Sequence, residues 1–159
     1  MKNQLQDAAR VRASIGSSKE AKCALDDSNE TCWTVELGSP STSAAATLTC
    51  VLSAPIAIST LQALQCTFAG GFAPIRVVSM AGFTAPDAPK DVAWVDLHEA
   101  YPADGNMAQR FAYDAAHVQT RLAAQEHAEA ACTHLGVRLE GSTDGFGRVI
   151  VYSLGIYDA

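Results

Sequence analysis

Clusters of turn-forming residues break this chain at short intervals: GSPSTS (38–43), SAP (53–55), AGG (69–71), APDAPKD (85–91), PADGN (102–106) and GSTDGFG (141–147). Short apolar segments lie between them, a rhythm that predicts an all-β sandwich or barrel. Period-two alternation agrees in three places. Leu48, Cys50 and Leu52 share one face of TLTCVL, with Thr47 and Thr49 opposite. Leu64, Cys66 and Phe68 repeat the pattern in LQCTF, and Val137 and Leu139 alternate with Arg138 and Glu140 in GVRLEG. RVIVYSLGIY (148–157) is apolar on both faces, which predicts an interior strand.

One segment departs from this rhythm. Between Ala115 and Leu135 the chain is rich in Ala, Gln, Glu and Leu, and Val118, Leu122, Ala128, Ala131, Cys132 and Leu135 approximate a helical stripe with Gly136 as its stop. The spacing predicts one added helix around 118–134, packed on the sandwich. No repeat, low-complexity tract or linker divides the chain, so residues 1–159 are expected to form a single domain. At 159 residues it can bury a core without metals or disulfides.

Charge narrows the partners. Eleven Lys and Arg against seventeen Asp and Glu give a net charge of −6, and the basic residues never form a run. Such a field repels phosphate backbones and anionic lipid, which argues against nucleic acid and membrane surfaces. No stretch near the N-terminus has the apolar run of an export signal, and no segment is apolar for long enough to span a bilayer. The five cysteines, at 23, 32, 50, 66 and 132, include no CxxC pair. They read as reduced thiols of an intracellular protein, cytoplasmic or nuclear, with a Cys23–Cys32 bridge as the alternative in an exported one.

AKCALDDSNETCW (21–33) resembles the opening signature of discoidin, or coagulation-factor type C, domains, in which Ala-Leu-Asp leads through a short polar loop into Thr-x-Trp. With LQALQCTFAGGF (61–72) and STDGFGRVIVYSLGIYD (142–158), the chain is similar over most of its length to the small nuclear-receptor-associated repressors of the testicular orphan receptor. The resemblance implies a galactose-binding-like jelly roll of two antiparallel sheets, with ligand contacts made by loops at one end and no catalytic activity. The helix around 118–134 would be an insertion relative to that group. Because this fold hosts sugar, lipid and protein ligands, the ligand has to be argued from the site.

Three loops offer candidate sites. In ALDDSNETCW, the residues Asp26, Asp27, Asn29, Glu30 and Thr31 carry oxygens suited to calcium. The resemblance puts Asp26 and Thr31 on such an ion, although SLGIY supplies no acid from the last strand. The alternative is a turn held by side-chain-to-backbone bonds, with Leu25 and Trp33 anchoring it to the core. In GGFAPIR (70–76), two glycines and Pro74 shape a loop on which Phe72 and Arg76 are of the types that dominate interface energetics. In TDGFGR (143–148), Phe146 sits between two glycines, and Arg148 could hold a carboxylate, phosphate or sugar hydroxyl. For these two loops the alternatives are inward-folded rings and local ion pairs of each arginine.

The histidines, at 98, 117, 127 and 134, build no HExxH, and no GxSxG, P-loop or dinucleotide fingerprint occurs. Cys132 and His134, taken as neighbours on a helix, would diverge too far to act as a nucleophile–base pair. The expectation is therefore a non-enzymatic binding module that requires no cofactor but has a candidate calcium site. Its partner is a protein docking on loops around Phe72, Arg76, Phe146 and Arg148. The second reading is a calcium-assisted, lectin-like carbohydrate-binding module, with Trp94 or Tyr101 stacking on a sugar ring.

Overall fold

The computed structural model describes residues 2–26, 30–85, 87–126 and 131–158. Its frame is set by β8 (Ala131–Glu140), which pairs antiparallel with both β3 (Ala45–Ala57) and β5 (Arg76–Ala85). Adding β1 (Arg10–Ala13) and β6 (Ala88–Ala100) at the edges gives a five-stranded sheet of order β1-β3-β8-β5-β6. The second sheet has the order β2-β9-β4-β7, from β2 (Trp33–Glu36), β4 (Leu61–Phe68), β7 (Gln109–Ala112) and β9 (Arg148–Asp158). The expected two-sheet β-sandwich is therefore present, and RVIVYSLGIY lies between β2 and β4 as an interior strand.

The alternating segments place their apolar faces in one core between the sheets. Leu48, Cys50, Leu64, Cys66, Phe68, Val137 and Leu139 are all buried, while Thr47, Thr49 and Arg138 face outward from the larger sheet. At the start of β2, Trp33 is fully buried in the same apolar cluster, which also includes Leu25. Its indole N–H has no partner among the described residues.

Two expectations need correction. The helix predicted around 118–134 is shorter: α2 runs from Ala115 to Ala124. Asp114 caps it by accepting from the amides of Ala116 (3.0 Å) and His117 (3.2 Å), and Val118 and Leu122 are its buried residues. Residues 127–130 lie outside the described residues, and from Ala131 onward the chain is strand β8. The cause of the misreading is a bulge. Pairing of β3 with β8 jumps from Val51↔His134 to Ile56↔Cys132, so extra residues of β3, Pro55 among them, stand opposite Thr133. The shift in parity puts buried side chains at Cys132 and Leu135, three apart, which imitates helical spacing. It also means that SAP (53–55) is a bulge within one strand instead of a turn between two. Gly136, read as a helix stop, lies in the middle of β8.

Helix α1 (Ser18–Ala21) and the 3-10 turn that follows it, Lys22–Ala24, bring the chain to the entrance of β2. The termini meet at the C-terminal end of β9, where Asn3 bridges to Tyr157 and the Lys2 amide donates to Asp158. Among the described residues no helix is long and apolar enough to cross a membrane.

Replacing the ring at the heart of this packing is a direct test. Trp33→Ala should cost about 3–5 kcal/mol of unfolding free energy in urea titrations, the usual penalty for emptying a large aromatic site. A loss below about 1 kcal/mol would show that the ring is not a core anchor.

Candidate functional site

Strand register decides which loops meet. The start of β5 pairs with the end of β8 (Arg76↔Glu140), the end of β6 with the start of β5 (Ala100↔Val77), and the end of β2 with the start of β9 (Glu36↔Arg148). Loops 37–44, 69–75, 101–108 and 141–147 therefore gather at the end of the sandwich away from the termini. Hydrogen bonds lace them together. The Gly70 and Gly71 amides donate to the side chains of Asn106 (2.6 Å) and Asp104 (2.7 Å). The Thr143 amide donates to the Ala73 carbonyl (2.9 Å), and the Ser142 amide to that of Pro40 (3.1 Å).

The 141–147 loop is a stiff platform. Asp144 accepts from the Arg148 amide (3.0 Å), and the Ser142 hydroxyl donates to the Arg148 carbonyl (2.6 Å) while accepting from the Asp144 amide (3.0 Å). Gly147 has a φ of +82°, and a Cβ there would lie 2.5 Å from the Ser39 backbone, so no other residue fits this crossing of two loops. On the platform Phe146 is 86 % exposed, and Tyr101, 69 % exposed, stands with Met107 on the 101–108 loop, across the 69–75 loop from it. Such exposure of large rings on a braced frame leaves them available for a ligand.

The four sequence-derived residues share this end but differ in availability. Phe72 is half-buried, and its carbonyl accepts from Ile150 (3.0 Å). The Arg148 guanidinium donates from Nε to Glu36 (2.8 Å) across the β2–β9 pair, so its partner is Glu36 while Asp144 takes only the backbone amide. Arg76 is committed on two sides, from Nη1 to Glu140 (2.8 Å) and from Nη2 to Glu99 (3.3 Å). Sequence reasoning missed the ion network that this pairing opens. Glu140 also takes Arg138 (2.7 Å), which reaches Asp96 (3.1 Å), and Arg121 of α2 reaches Glu99 through Nη1 (2.6 Å). The outward alternation of Arg138 and Glu140 was its only sign in the sequence.

Burial opposes ionisation of the Glu140 carboxyl, but the bonds from Arg138 and Arg76 outweigh it and hold its pKa below the ordinary value. Tyr101 and Trp94, the alternatives of the lectin-like reading, are separated. Tyr101 belongs to the loop end, whereas Trp94 lies out on the larger sheet.

At the other candidate site, the Thr31 hydroxyl lies 3.2 Å from the Cys23 carbonyl and 3.4 Å from an Asp26 carboxylate oxygen. Three hard oxygens thus converge; Asp27 and Asn29 lie outside the described residues. Ser153, in the last strand, donates to Thr67 (3.0 Å) and brings no carboxylate. Among the described residues no group of three or more His, Cys, Asp or Glu is gathered for a metal. All five cysteines are unbridged. Cys132 is fully buried, and burial pushes its thiol up to about 12, so it stays protonated and unreactive at neutral pH.

Glu140 generates a prediction with a definite sign. A carboxyl with a lowered folded pKa contributes stability above its unfolded value, near 4.5, and loses it as pH falls through the folded value. Glu140→Gln should therefore cost about 2 kcal/mol at pH 7, and the deficit relative to the parent should shrink as pH is lowered below 4.5. Parallel melting curves from pH 7 to pH 3 check both; a deficit independent of pH would deny the ionised role.

No family model matches the chain, and no curated protein matches it, so the likeness to the nuclear-receptor-associated repressors rests on its motifs alone. Solved structures do match. Chitosan-binding module 1 of a chitosanase/glucanase from Paenibacillus sp. IK-5 superposes with a TM-score of 0.66 at 14% identity, covering 99% of each chain. The family 32 carbohydrate-binding module of NanJ from C. perfringens, solved with galactose, gives 0.65 at 12% identity over 98% of each chain. The corresponding module of AlyQ, solved with 4,5-unsaturated mannuronic acid, gives 0.59 at 13% identity over 96% of this chain and 97% of that one. The chain has the two-sheet β-sandwich fold of these modules.

Proposed function

We propose that this chain is a non-catalytic carbohydrate-binding module whose ligand lies across the loop end, against Tyr101 and Phe146. The observation that carries the reading is the exposure of these two rings, 69 % and 86 %, on loops that are each hydrogen-bonded to the 69–75 loop between them. An aromatic face offers an apolar platform to the C–H face of a sugar, while Asp104, Asn106 and Arg148 supply polar groups at the rim. The fold supports the same reading, since the similar structures are modules solved with galactose or an unsaturated mannuronic acid, or named for chitosan. Those comparisons favour a glycan over the protein partner that the sequence put first.

Within this reading Phe72 backs the rim from below, and Arg76 and Arg148 act mainly by holding it, through Glu140 and Glu36. Phe146 is the sequence-derived residue placed to touch a ligand. A structural calcium ion at the loop before β2 is part of the proposal. The Asp26 carboxylate, the Thr31 hydroxyl and the Cys23 carbonyl would hold it, and its charge would stiffen the approach to Trp33.

Titration with galactose and with chitotriose, followed by amide chemical shifts at millimolar sugar, tests the site. Shifts should map to loops 101–108 and 141–147, and Tyr101→Ala or Phe146→Ala should weaken binding about tenfold. Shifts that neither substitution alters would place the ligand elsewhere, and silence with both sugars would count against the reading.

Calcium is tested separately by thermal melting in EDTA and then in calcium. An ion at about a hundred times its dissociation constant adds about 2.7 kcal/mol, a rise of roughly 5–10 °C for a chain of this size. The rise should disappear in Asp26→Ala; equal melting in both buffers would leave the loop a strut for Trp33.

A further inference from the structure

The outer face of the five-stranded sheet carries a surface that the loop-end reading does not use. Register aligns one residue from each strand in a row across it: Arg10↔Val51, Val51↔His134, His134↔Gly82 and Gly82↔Trp94. At a strand spacing of about 4.8 Å, the four steps from Arg10 to Trp94 cover roughly 19 Å. Arg12 and Thr49 flank the row on one side, and Lys90 and Val92 of the β5–β6 hairpin flank it on the other. Together these groups line an open groove of about 520 Å³, with β1 along one margin, β6 along the other and β3 and β8 as the floor.

Its charge runs against that of the chain. The protein is −6 overall, yet among the described residues the groove is lined by Arg10, Arg12 and Lys90 and by no carboxylate. The ion pairs among the described residues employ Lys2, Arg76, Arg121, Arg138 and Arg148, and none employs these three. The adjacent row shows what the groove is spared, since there Arg138 is neutralised by Asp96 and Glu140. His134 in the floor is half-buried, its Nδ1 2.7 Å from the Thr133 hydroxyl, and burial lowers its pKa so that the ring is neutral at pH 7.

The aromatic of the groove is seated for contact. Trp94 is 37 % exposed and meets His134 edge-on, with centroids 5.8 Å apart and planes at 77°. It rests where the sheet has no side chains. A Cβ on Gly82 or on Gly136 would lie 3.2 or 3.3 Å from the Trp94 Cζ3, and one on Gly82 would also lie 2.7 Å from Val92 and 2.8 Å from His134. Two glycines on neighbouring strands thus let the indole lie low on the sheet with part of its surface open.

We infer that this groove is a second carbohydrate site, for a carboxylate-bearing oligosaccharide laid across the strands from Trp94 to Arg10 and Arg12. Trp94 takes the apolar face of one sugar, the guanidiniums take uronate carboxylates with paired N–H donors, and Lys90 contributes a point charge from the hairpin. An extended row suits a chain of sugars, where the rim of the loop end suits one or two. The ligand class rests on the reading of the chain as a carbohydrate-binding module; the location does not.

The probes are an oligogalacturonate of four to six sugars and the same oligosaccharide after carboxyl reduction, titrated calorimetrically at low salt into the whole chain. The acidic form should bind, and the neutral form at least tenfold more weakly. Arg10→Ala/Arg12→Ala should weaken the acidic form at least tenfold, and Trp94→Ala severalfold. Lys90→Ala, on an exposed hairpin position, gives a third variant should Trp94→Ala melt early. Phe146→Ala should leave this binding unchanged, which separates the groove from the loop end. Oligouronate binding that is lost only in Tyr101→Ala or Phe146→Ala would overturn the groove while keeping the loop-end site. Equal binding of both oligosaccharides, equal binding of an acidic peptide such as oligoglutamate, or no binding at millimolar oligouronate would overturn the groove whatever the loop end does.

Discussion

A single carboxylate at the end of the central strand holds the working end of this molecule together. Glu140 closes β8, and its register partners are Ala45 at the start of β3 and Arg76 at the start of β5. Its carbonyl accepts from Ile75, the last residue before β5, and its side chain takes a guanidinium from Arg76 and another from Arg138. Burying a charge beside an apolar core is unfavourable unless it is paired and hydrogen-bonded, and here two guanidiniums supply both. Remove the charge and the strand ends from which loops 37–44, 69–75 and 141–147 depart lose a common fastening. The network then passes through Arg138 to Asp96 and through Arg76 to Glu99, where Arg121 brings in α2. One group therefore couples the loop end, the outer sheet face and the helix.

Much of the architecture was legible because its cause is local. The alternation in TLTCVL, LQCTF and GVRLEG follows from strands that bury one face, and the apolar run from Val149 to Ile156 follows from a strand with neighbours on both sides. The helix was half legible for the same reason. Asp114 at its cap and Val118 and Leu122 on its inner face are signals within one turn or two. Its false extension came from a long-range cause, since the β3 bulge near Pro55 sets the spacing of Cys132 and Leu135 from the other side of a ladder. No inspection of residues 131–135 alone could separate that spacing from a helical one.

The site divides along the same line. Phe146 between two glycines, and Phe72 after two more, were conspicuous in sequence because turn chemistry is local. Whether their arginines faced a ligand was not readable, because Arg76 and Arg148 meet Glu140 and Glu36, carboxylates 64 and 112 residues away. Tyr101 offers only its ring type in sequence; its exposure on the rim appears once β6 ends beside β5. Trp94 and Tyr101 looked alike as stacking platforms, and only the course of β6 puts one on a sheet face and the other at an end.

The groove on the outer face shows why net charge is a poor guide to individual surfaces. At −6 the chain as a whole repels anions, and its basic residues are scattered in sequence. Antiparallel pairing regroups them. Arg10 and Arg12 arrive through β1 and Lys90 through a hairpin some eighty residues later, while Glu140, Asp96 and Glu36 are taken by Arg76, Arg138 and Arg148. Screening confines each charge to about 8–10 Å at ordinary ionic strength, so a bound glycan senses the row beneath it and little of the remaining surface. What decides the sign of that local field is the strand order β1-β3-β8-β5-β6, a property of the fold that no segment of the sequence contains.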